Sequence, residues 1–298
     1  MCGIMGYYSF GKTIPNKDKI TNMFSLLESR GRDASGFAFI REGNLIVHKD
    51  GVRSSEFVKT KAWEDLLLPS SMILHTRMKT QGSEKNNANN HPLFSKNGIA
   101  IVHNGIIYND KEIFGKKQRD AEVDSESILH LLSMKVRRDR IKRLFDRVEG
   151  SFAVAVLDKN DPERLVLIKK DNPIDLYYDS KDDILYFCSE REIMQEALNI
   201  EKVTVRGFNL GEKDFHFYEM SNNYALILNK EGVESYQKYY PKTSRFFERQ
   251  YYPTLSSFDE ITIECPWCLS KATYYDGKLF NKCQVCGAEI NEEDLYVI

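Results

Sequence analysis

The sequence predicts an α+β protein in which antiparallel sheets are covered by helices, followed by a small cysteine-rich module. Short apolar segments typical of strands occur in groups, and segments with helical periodicity lie between the groups instead of alternating with single strands. The length of 298 residues is enough for about two domains, one of them with a large core. A hydrophobic fraction of 42% and a net charge of −2 are typical of a globular protein and argue against one that coats nucleic acid.

The first group of predicted strands surrounds one helix. Residues 4–10 form a short apolar run typical of a buried strand, and residues 17–29 have the periodicity of an amphipathic helix. Ile20, Met23 and Phe24 lie on the apolar face of that helix. Further strands are predicted over residues 36–41, 44–48, 71–76 and 98–103.

The second group of strands follows a long helical segment. Helical periodicity runs from about 124 to 147, and a capping box at 189–192 is predicted to open a helix that ends at Leu198. Strands are predicted over residues 151–157, 164–169 and 184–188, with short strand-like pieces from 203 to 240. Because the composition then shifts to Tyr, Pro, Ser and charged residues, we place a first domain at 2–240, a linker at 241–262 and a C-terminal module at 263–298.

Nothing in the sequence indicates export or insertion into a membrane. No stretch of eighteen apolar residues is present, and the first ten residues lack the charged start and apolar run of a signal peptide. Four of the six cysteines form two Cys-x-x-Cys pairs, which is typical of metal ligands in a reducing compartment rather than of disulfides. We therefore expect a cytoplasmic protein that does not bind membranes.

Cys2 is the residue from which the sequence most directly predicts a reaction. Removal of Met1 by an aminopeptidase would leave a thiol and a free α-amine on one residue. The α-amine titrates near pH ~7.7–8.0, so it can act as the general base for its own thiol. On position alone Cys2 is an ordinary second residue, and the hypothesis depends on what lies downstream.

Several downstream segments fit a site for a small zwitterionic amide. Arg77 follows a strand and could hold a carboxylate through two parallel hydrogen bonds. Asn104 and Gly105 place an amide side chain beside a backbone N–H, as an oxyanion hole requires. Asp124 precedes a helix and could pair with an ammonium group. Each segment also has an ordinary structural interpretation, as a surface ion pair, an Asn-Gly turn or a helix N-cap.

In this order, the segments resemble those of class II glutamine amidotransferases. These are the N-terminal-nucleophile glutaminase domains of asparagine synthetase, glucosamine phosphate synthase and glutamine phosphoribosylpyrophosphate amidotransferase. The matching segments are 1–4, 30–36, 75–82, 89–92, 103–106, 124–126, 149–153 and 187–190. Met78, Lys79 and Gln81 depart from the pattern of the glucosamine phosphate synthase branch, which has an aromatic, a small residue and a His there. The segment 169–173 also departs from the pattern of many relatives.

The resemblance implies a four-layer αββα sandwich and a hydrolytic reaction. Cys2 would attack the side-chain amide of glutamine and release ammonia, leaving a glutamyl thioester that water cleaves. Asn104 and Gly105 would hold the tetrahedral oxyanion. No organic cofactor is expected.

The resemblance also implies how glutamine is bound. Arg77, assisted by Thr80, would bind the α-carboxylate of glutamine, and Asp124 would bind its α-ammonium group. Only an amino-acid-like substrate needs both, which favours glutamine over the substrate of another N-terminal-cysteine amide hydrolase. A third alternative is a non-catalytic zinc-ribbon adaptor on the same scaffold.

The fate of the ammonia is a separate question. The residues after 240 contain no Gly-rich phosphate-binding loop with Lys-Ser/Thr, whereas most relatives carry a large second domain that consumes ammonia. We therefore expect an acceptor on a separate synthetase-like partner, with a plain glutaminase as the alternative.

The C-terminal cysteine pairs predict a structural zinc site. Cys265 and Cys268 are followed, after fourteen residues, by Cys283 and Cys286, which is the spacing of a zinc ribbon. Four thiolates leave no open position for catalysis, and an iron or iron–sulfur site is the alternative. Seven Lys and Arg between 135 and 147 predict a solvated helix face, with a surface for nucleic acid or a synthetase as the alternative.

Overall fold

A computed structural model describes most of the chain up to residue 240 and parts of the C-terminal module. The described residues are 2–134, 139–200, 206–207, 218–240, 260–264, 270–275, 281–282, 285–286 and 289–290. The contacts divide the chain into two units, Met1–Lys242 and Thr243–Ile298. None of the helices in the described ranges is long and apolar enough to cross a membrane.

Helices and strands are grouped along the described chain. The helices span Lys17–Leu26 (α1), Ser54–Phe57 (α2), Lys61–Glu64 (α3), Asp110–Phe114 (α4), Ser125–Ser133 (α5), Arg140–Arg147 (α6) and Arg191–Leu198 (α7). The strands of the first unit span Gly3–Ser9 (β1), Ala34–Arg41 (β2), Asn44–Asp50 (β3), Ser71–Arg77 (β4), Leu93–Phe94 (β5), Ile99–Ile107 (β6), Gly150–Asp158 (β7), Asp161–Lys170 (β8), Asp175–Asp179 (β9), Ile184–Cys188 (β10), Arg206–Gly207 (β11), Tyr218–Glu219 (β12), Tyr224–Asn229 (β13) and Gly232–Lys238 (β14). Those of the second unit span Glu260–Glu264 (β15), Lys271–Tyr275 (β16), Asn281–Lys282 (β17) and Glu289–Ile290 (β18).

Two sheets form the centre of the first unit. Within the described residues, the first sheet has eight strands in the order β11-β12-β9-β10-β1-β4-β2-β3, and the second has six in the order β14-β13-β8-β7-β6-β5. Apart from the short parallel pair β11 and β12, the strand pairs are antiparallel. The predicted α+β class with antiparallel sheets is confirmed.

The side chains of β1 show what covers each face of the first sheet. Successive side chains of a strand point to opposite faces. Ile4 and Tyr8 belong to an apolar cluster that also contains Val102 and Ala155 of the second sheet. Met5 and Tyr7 belong to a different cluster, which contains residues of α1 and α7. The sheet is therefore buried on both faces, which is why 4–10 is a continuous apolar run.

The second sheet has its own helical cover. Ile128 and Leu132 of α5 and Phe145 of α6 cluster with Val154 and Ile168 of the sheet. Together the three clusters give the order helices, first sheet, second sheet, helices. Each fully buried apolar side chain in these clusters contributes about 1.5–3 kcal/mol of burial free energy.

Three predicted elements have different bounds in the structure. The helix predicted over 17–29 ends at Leu26 and continues as a 3₁₀ turn over Leu27–Arg30. The segment 124–147 contains two helices, α5 and α6, and residues 135–138 between them lie outside the described ranges. The strand predicted to end at 103 continues to Ile107, because β7 pairs with it through Gly150.

The predicted capping box at 189–192 is wrong. Glu190 is the N-cap residue of α7, and its side chain makes no capping hydrogen bond. Ser189 Oγ instead accepts the Ile4 backbone N–H at 2.9 Å, a contact between residues 185 positions apart. A long-range partner has taken the hydroxyl that the local pattern assigned to the helix.

The second unit contains two described hairpins. β15 pairs with β16 and β17 pairs with β18, both antiparallel. In sequence, each Cys-x-x-Cys pair falls in the connection between the two strands of one hairpin. Cys286 lies at a turn and is exposed, whereas Cys265, Cys268 and Cys283 lie outside the described residues. The described residues contain no group of three or more potential metal ligands, so the zinc site stays a prediction.

Candidate active site

The predicted site residues of the first sheet meet at one end of β1 and β4. Gly3 pairs with Thr76, and Ala34 of β2 pairs with Arg77, so Cys2 lies beside the end of β4. Ile73, two positions before His75 and four before Arg77, faces the second sheet. By strand alternation, Arg77 projects into the space between the sheets.

The oxyanion residues lie on the other side of that space. Asn104 pairs with Ala153, and Ala153 and Val102 both belong to the cluster between the sheets. Since side chains two residues apart and directly paired side chains share a face, Asn104 also points toward the first sheet. The fold therefore places Cys2, just before β1, and Asn104, within β6, on facing sheets.

Cys2 is held through its backbone. Its Sγ lies 3.5 Å from the Met78 carbonyl oxygen, and Arg30 Nε donates to its carbonyl oxygen at 2.9 Å. Arg30 is buried and also forms an ion pair with Glu190. Burial raises the pKa of the Cys2 thiol, the Arg77 charge opposes that shift, and the Asp124 carboxylate adds to it. The thiol is therefore protonated at neutral pH and needs a base to react.

Asn104 has an unusual property for a buried amide. Its residue is 3% exposed, and within the described structure its Nδ2 has no hydrogen-bond partner. Leaving a buried donor unpaired costs about 1–3 kcal/mol, so most such groups in proteins are paired. A donor kept unpaired at this position is available to a ligand atom.

Gly105 has a backbone conformation that side chains disfavour. Its φ is +145°, and a Cβ at this position would lie 2.0 Å from the Ser151 carbonyl oxygen. Glycine is therefore required both by the dihedral angle and by the close approach of β7. The Asn-Gly pair is part of β6 and not a turn, which corrects the ordinary structural interpretation of this dipeptide.

Arg77 is almost fully buried and ties together the loop that follows it. Its guanidinium donates to Asn90 Oδ1 and to the Gly82 carbonyl oxygen, both at 2.9 Å, and also to the Gln81 carbonyl oxygen. These contacts use both N–H groups of Nη2 and one of Nη1, and leave the N–H of Nε and the second of Nη1. Thr80 lies on the same loop and is exposed.

Asp124 is the N-cap residue of α5, as the ordinary structural interpretation predicts, and its carboxylate also binds the backbone of β6. Its Oδ1 accepts the Ser125 N–H at 2.8 Å, and its Oδ2 accepts the Ile107 N–H at 2.7 Å. The second bond ties α5 to the end of β6, next to Gly105. A carboxylate has about four lone-pair positions, so an ammonium group still has acceptors here.

Three buried histidines lie behind the site and are neutral. His75 Nε2 donates to the His103 carbonyl oxygen at 3.0 Å, and the His75 and His91 rings stack at 4.3 Å. Burial lowers the pKa of His75 to about 3 and also lowers the pKa of His91 and His103. These imidazoles therefore add polar surface between the sheets without adding charge at neutral pH.

Sequence reasoning assigned no role to Arg30 or Asn90. Both lie within segments that carried the resemblance, but a direct contact with Cys2 or Arg77 depends on pairings that a single sequence does not reveal. The contact of Asn90 with Arg77 spans thirteen positions, and that of Arg30 with Cys2 spans twenty-eight. No local periodicity marks either one.

Comparison with known proteins agrees with the geometry. Residues 75–196 match a family described as the glutamine amidotransferase domain. The chain is 34% identical over 183 residues to glutamine–fructose-6-phosphate aminotransferase (isomerizing) of Aquifex aeolicus, and 36% identical over 186 residues to that of Pyrococcus horikoshii. Each alignment covers 58% of this chain and 30% of the relative.

A solved structure shares the fold. Glutamine phosphoribosylpyrophosphate amidotransferase of B. subtilis superposes with a TM-score of 0.60 at 18% identity, covering 80% of this chain and 49% of the other. This chain thus spans about a third of the curated relatives and half of the solved one. Residues 75–196 thus match the glutamine amidotransferase domain family, and the two facing sheets are shared with a solved amidotransferase.

Proposed function

We propose that this protein hydrolyses the side-chain amide of glutamine to glutamate and ammonia, with Cys2 as the nucleophile. The observation that carries the proposal is the unpaired, buried Nδ2 of Asn104 beside Gly105, facing the sheet that bears Cys2. A donor of this kind stabilises charge that develops during the reaction rather than charge already present in the substrate.

The reaction begins with loss of Met1, which leaves the α-amine on Cys2. The neutral amine takes the thiol proton, and the sulfur forms a bond to the amide carbon of glutamine. Asn104 Nδ2 and the Gly105 N–H then donate to the oxyanion. As the tetrahedral intermediate collapses, the amide nitrogen takes the proton from the α-ammonium group and leaves as ammonia. Water attacks the resulting thioester, which releases glutamate and restores the thiol.

Substrate orientation depends on the two charged residues beside Cys2. Arg77 would hold the α-carboxylate through its charge and a remaining N–H group, assisted by the Thr80 hydroxyl, and Asp124 would hold the α-ammonium group. Their opposite charges fit the two ends of an amino acid, which favours glutamine over a simple amide. The bonds from Asn90 to Arg77 and from Ile107 to Asp124 fix these groups before substrate arrives.

The ammonia goes to an acceptor on a separate synthetase-like partner. Support comes from the relatives named above, which are named as aminotransferases that use glutamine and fructose 6-phosphate and of which the matched region is about 30%. The zinc ribbon is proposed as a structural module beside that partner, with the four cysteines as ligands. Nucleic acid is a weaker candidate, since Arg140 pairs with Asp158 and Lys142 pairs with Asp146. A cytoplasmic location remains part of the proposal.

Ammonia release from L-glutamine tests the proposal directly. The intact mass of the purified chain should lack Met1, and diazo-oxo-norleucine should label Cys2 alone. Cys2→Ala should abolish ammonia release, whereas Cys188→Ala, the matched control at a buried cysteine, should retain it. Equal ammonia release by Cys2→Ala and the parent chain would overturn the nucleophile.

A further inference from the structure

A second cavity lies beside the loop that Arg77 organises. Its volume is about 450 Å³, and it opens between the edge strands β3 and β5, the segment 114–121 and α5. Lys49, Phe94, Phe114 and His130 line it. It does not contain Cys2, Asn104 or Asp124, so it is separate from the glutamine site.

Lys49 is a cation without a counter-ion in this wall. Among the described residues its Nζ has one hydrogen-bond acceptor, the Asn90 carbonyl oxygen at 2.6 Å, and no carboxylate within ion-pair distance. Burial lowers the pKa of Lys49 to about 8, and the Arg77 charge adds to the shift. An ammonium group has three donors, and a half-buried one gains from an anion.

Aromatic side chains line the same space. Phe94 is 54% exposed, an unusual exposure for a large apolar side chain, and its ring centroid lies 5.4 Å from Lys49 Nζ. The Phe114 and His130 rings stack at 5.1 Å, and the Arg119 guanidinium carbon lies 4.8 Å from the centroid of the buried Phe114 ring. His130 is neutral, because burial and the nearby Lys117 lower its pKa. Phe94 thus offers an exposed ring for a flat ligand next to a positive charge.

We propose that this cavity binds a small aromatic anion, a flat ring bearing a carboxylate or a phosphate, and that binding alters the affinity for glutamine. Lys49 meets the anionic group, and the exposed Phe94 holds the ring, with His130 in the same lining. Dispersion and quadrupole attraction favour a ring at such faces.

Asn90 links the two sites. Its carbonyl oxygen accepts from Lys49, while its Oδ1 accepts from Arg77. Its Nδ2 donates to the Glu84 carbonyl oxygen, inside the loop that carries Thr80. An anion that draws Lys49 away from Asn90 shifts the residue that orients Arg77. This coupling rests on the proposed function, whereas binding to the cavity does not.

The binding test uses phenyl phosphate as the probe, with inorganic phosphate and phenol as its two halves. Calorimetry is done on the full chain carrying Cys2→Ala, so turnover plays no part. We expect phenyl phosphate to bind at least about tenfold more tightly than either half. Lys49→Gln and Phe94→Ala should each weaken it by about tenfold, and Lys49→Arg should retain it. Lys85→Gln is the matched control, since Lys85 is exposed on the neighbouring loop and does not line the cavity.

Two results would overturn the inference. One is no binding of phenyl phosphate, or binding that Lys49→Gln and Lys85→Gln affect equally. The other is binding that leaves the glutamine KM of the parent chain and the glutamine Kd of Cys2→Ala unchanged, since coupling must be reciprocal. If the parent chain releases no ammonia but phenyl phosphate binds as expected, the proposed function fails and the cavity assignment stands.

Discussion

Replacing Asn104 by Ala separates catalysis from folding at one side chain. The amide is 3% exposed and its Nδ2 is unpaired within the described structure, so it contributes little hydrogen bonding to the folded state. If it donates to the oxyanion, its main contribution comes only in the transition state. Activity and stability should therefore respond differently.

The expected magnitudes differ enough to be measured. Loss of one oxyanion-hole donor lowers kcat by about 10²–10³-fold, equivalent to about 2.7–4 kcal/mol. For stability, removing an unpaired buried donor relieves about 1–3 kcal/mol, while the packing atoms lost with it cost a similar amount. The free energy of unfolding should then change by about 1 kcal/mol or less. The KM for glutamine should stay unchanged, because the bound substrate does not depend on the hydrogen bond from Asn104 in the ground state.

Steady-state ammonia release and urea unfolding measure the two quantities on the same preparations. Asn44→Ala is the control, because Asn44 is exposed and bonds only to the Glu42 carbonyl oxygen. A kcat within threefold of the parent chain would refute the oxyanion role. A loss of several kcal/mol in unfolding free energy would show instead that Asn104 is a structural residue.

The remaining predictions concern the backbone, protonation, the nucleophile's support and the metal. Gly105→Ala should destabilise the fold by more than about 2 kcal/mol in urea unfolding, since a Cβ would meet Ser151 at 2.0 Å; an unchanged midpoint would contradict this. The pKa of His75 is lowered to about 3 from its ordinary 6.5, so its contribution to the free energy of unfolding is present above pH 6.5 and is lost as the pH falls toward 3. Between these values the free energy of unfolding should fall by about 1.4 kcal/mol per pH unit because of His75, and His75→Gln should flatten the pH dependence of unfolding. Arg30→Gln should lower kcat by about tenfold with little change in KM, and Arg30→Lys should recover part of it; a change confined to KM would contradict a role in holding Cys2. Elemental analysis should find about one zinc per chain and none after Cys265→Ser, whereas iron in its place would correct the metal.

Local patterns predicted the type of some elements and the N-terminal end of one helix. The continuous apolar run at 4–10 predicted a buried strand, and β1 is central in its sheet with both faces covered. The polar residue before an apolar helical run predicted the N-cap at Asp124, and its Oδ1 accepts the next backbone N–H. The N-cap bond joins neighbouring residues, whereas β1 is buried by distant strands and its apolar run predicts only that it is buried.

Prediction failed where a distant partner decided the outcome. Ser189 fits a capping box by spacing, but its hydroxyl binds β1. The strand predicted over 98–103 continues to Ile107. Pairing with β7 keeps the polar Asn104 and the flexible Gly105 extended, which their residue types do not predict. The lack of a hydrogen-bond partner for Asn104 Nδ2 in the described structure could not be predicted either, because it depends on which distant residues the fold brings near the amide.

The position of the site follows from the way the two sheets are stacked. Cys2 immediately precedes β1 of one sheet, and Asn104 and Gly105 lie in the last third of β6 of the other. Apolar side chains such as Ile4 and Val102, each two positions from a proposed catalytic residue, fill the space between them. The separation of nucleophile and oxyanion donors is therefore set by core packing and not by a loop. Because packed interiors resist compression, this arrangement holds the two halves of the site in register without direct bonds between them.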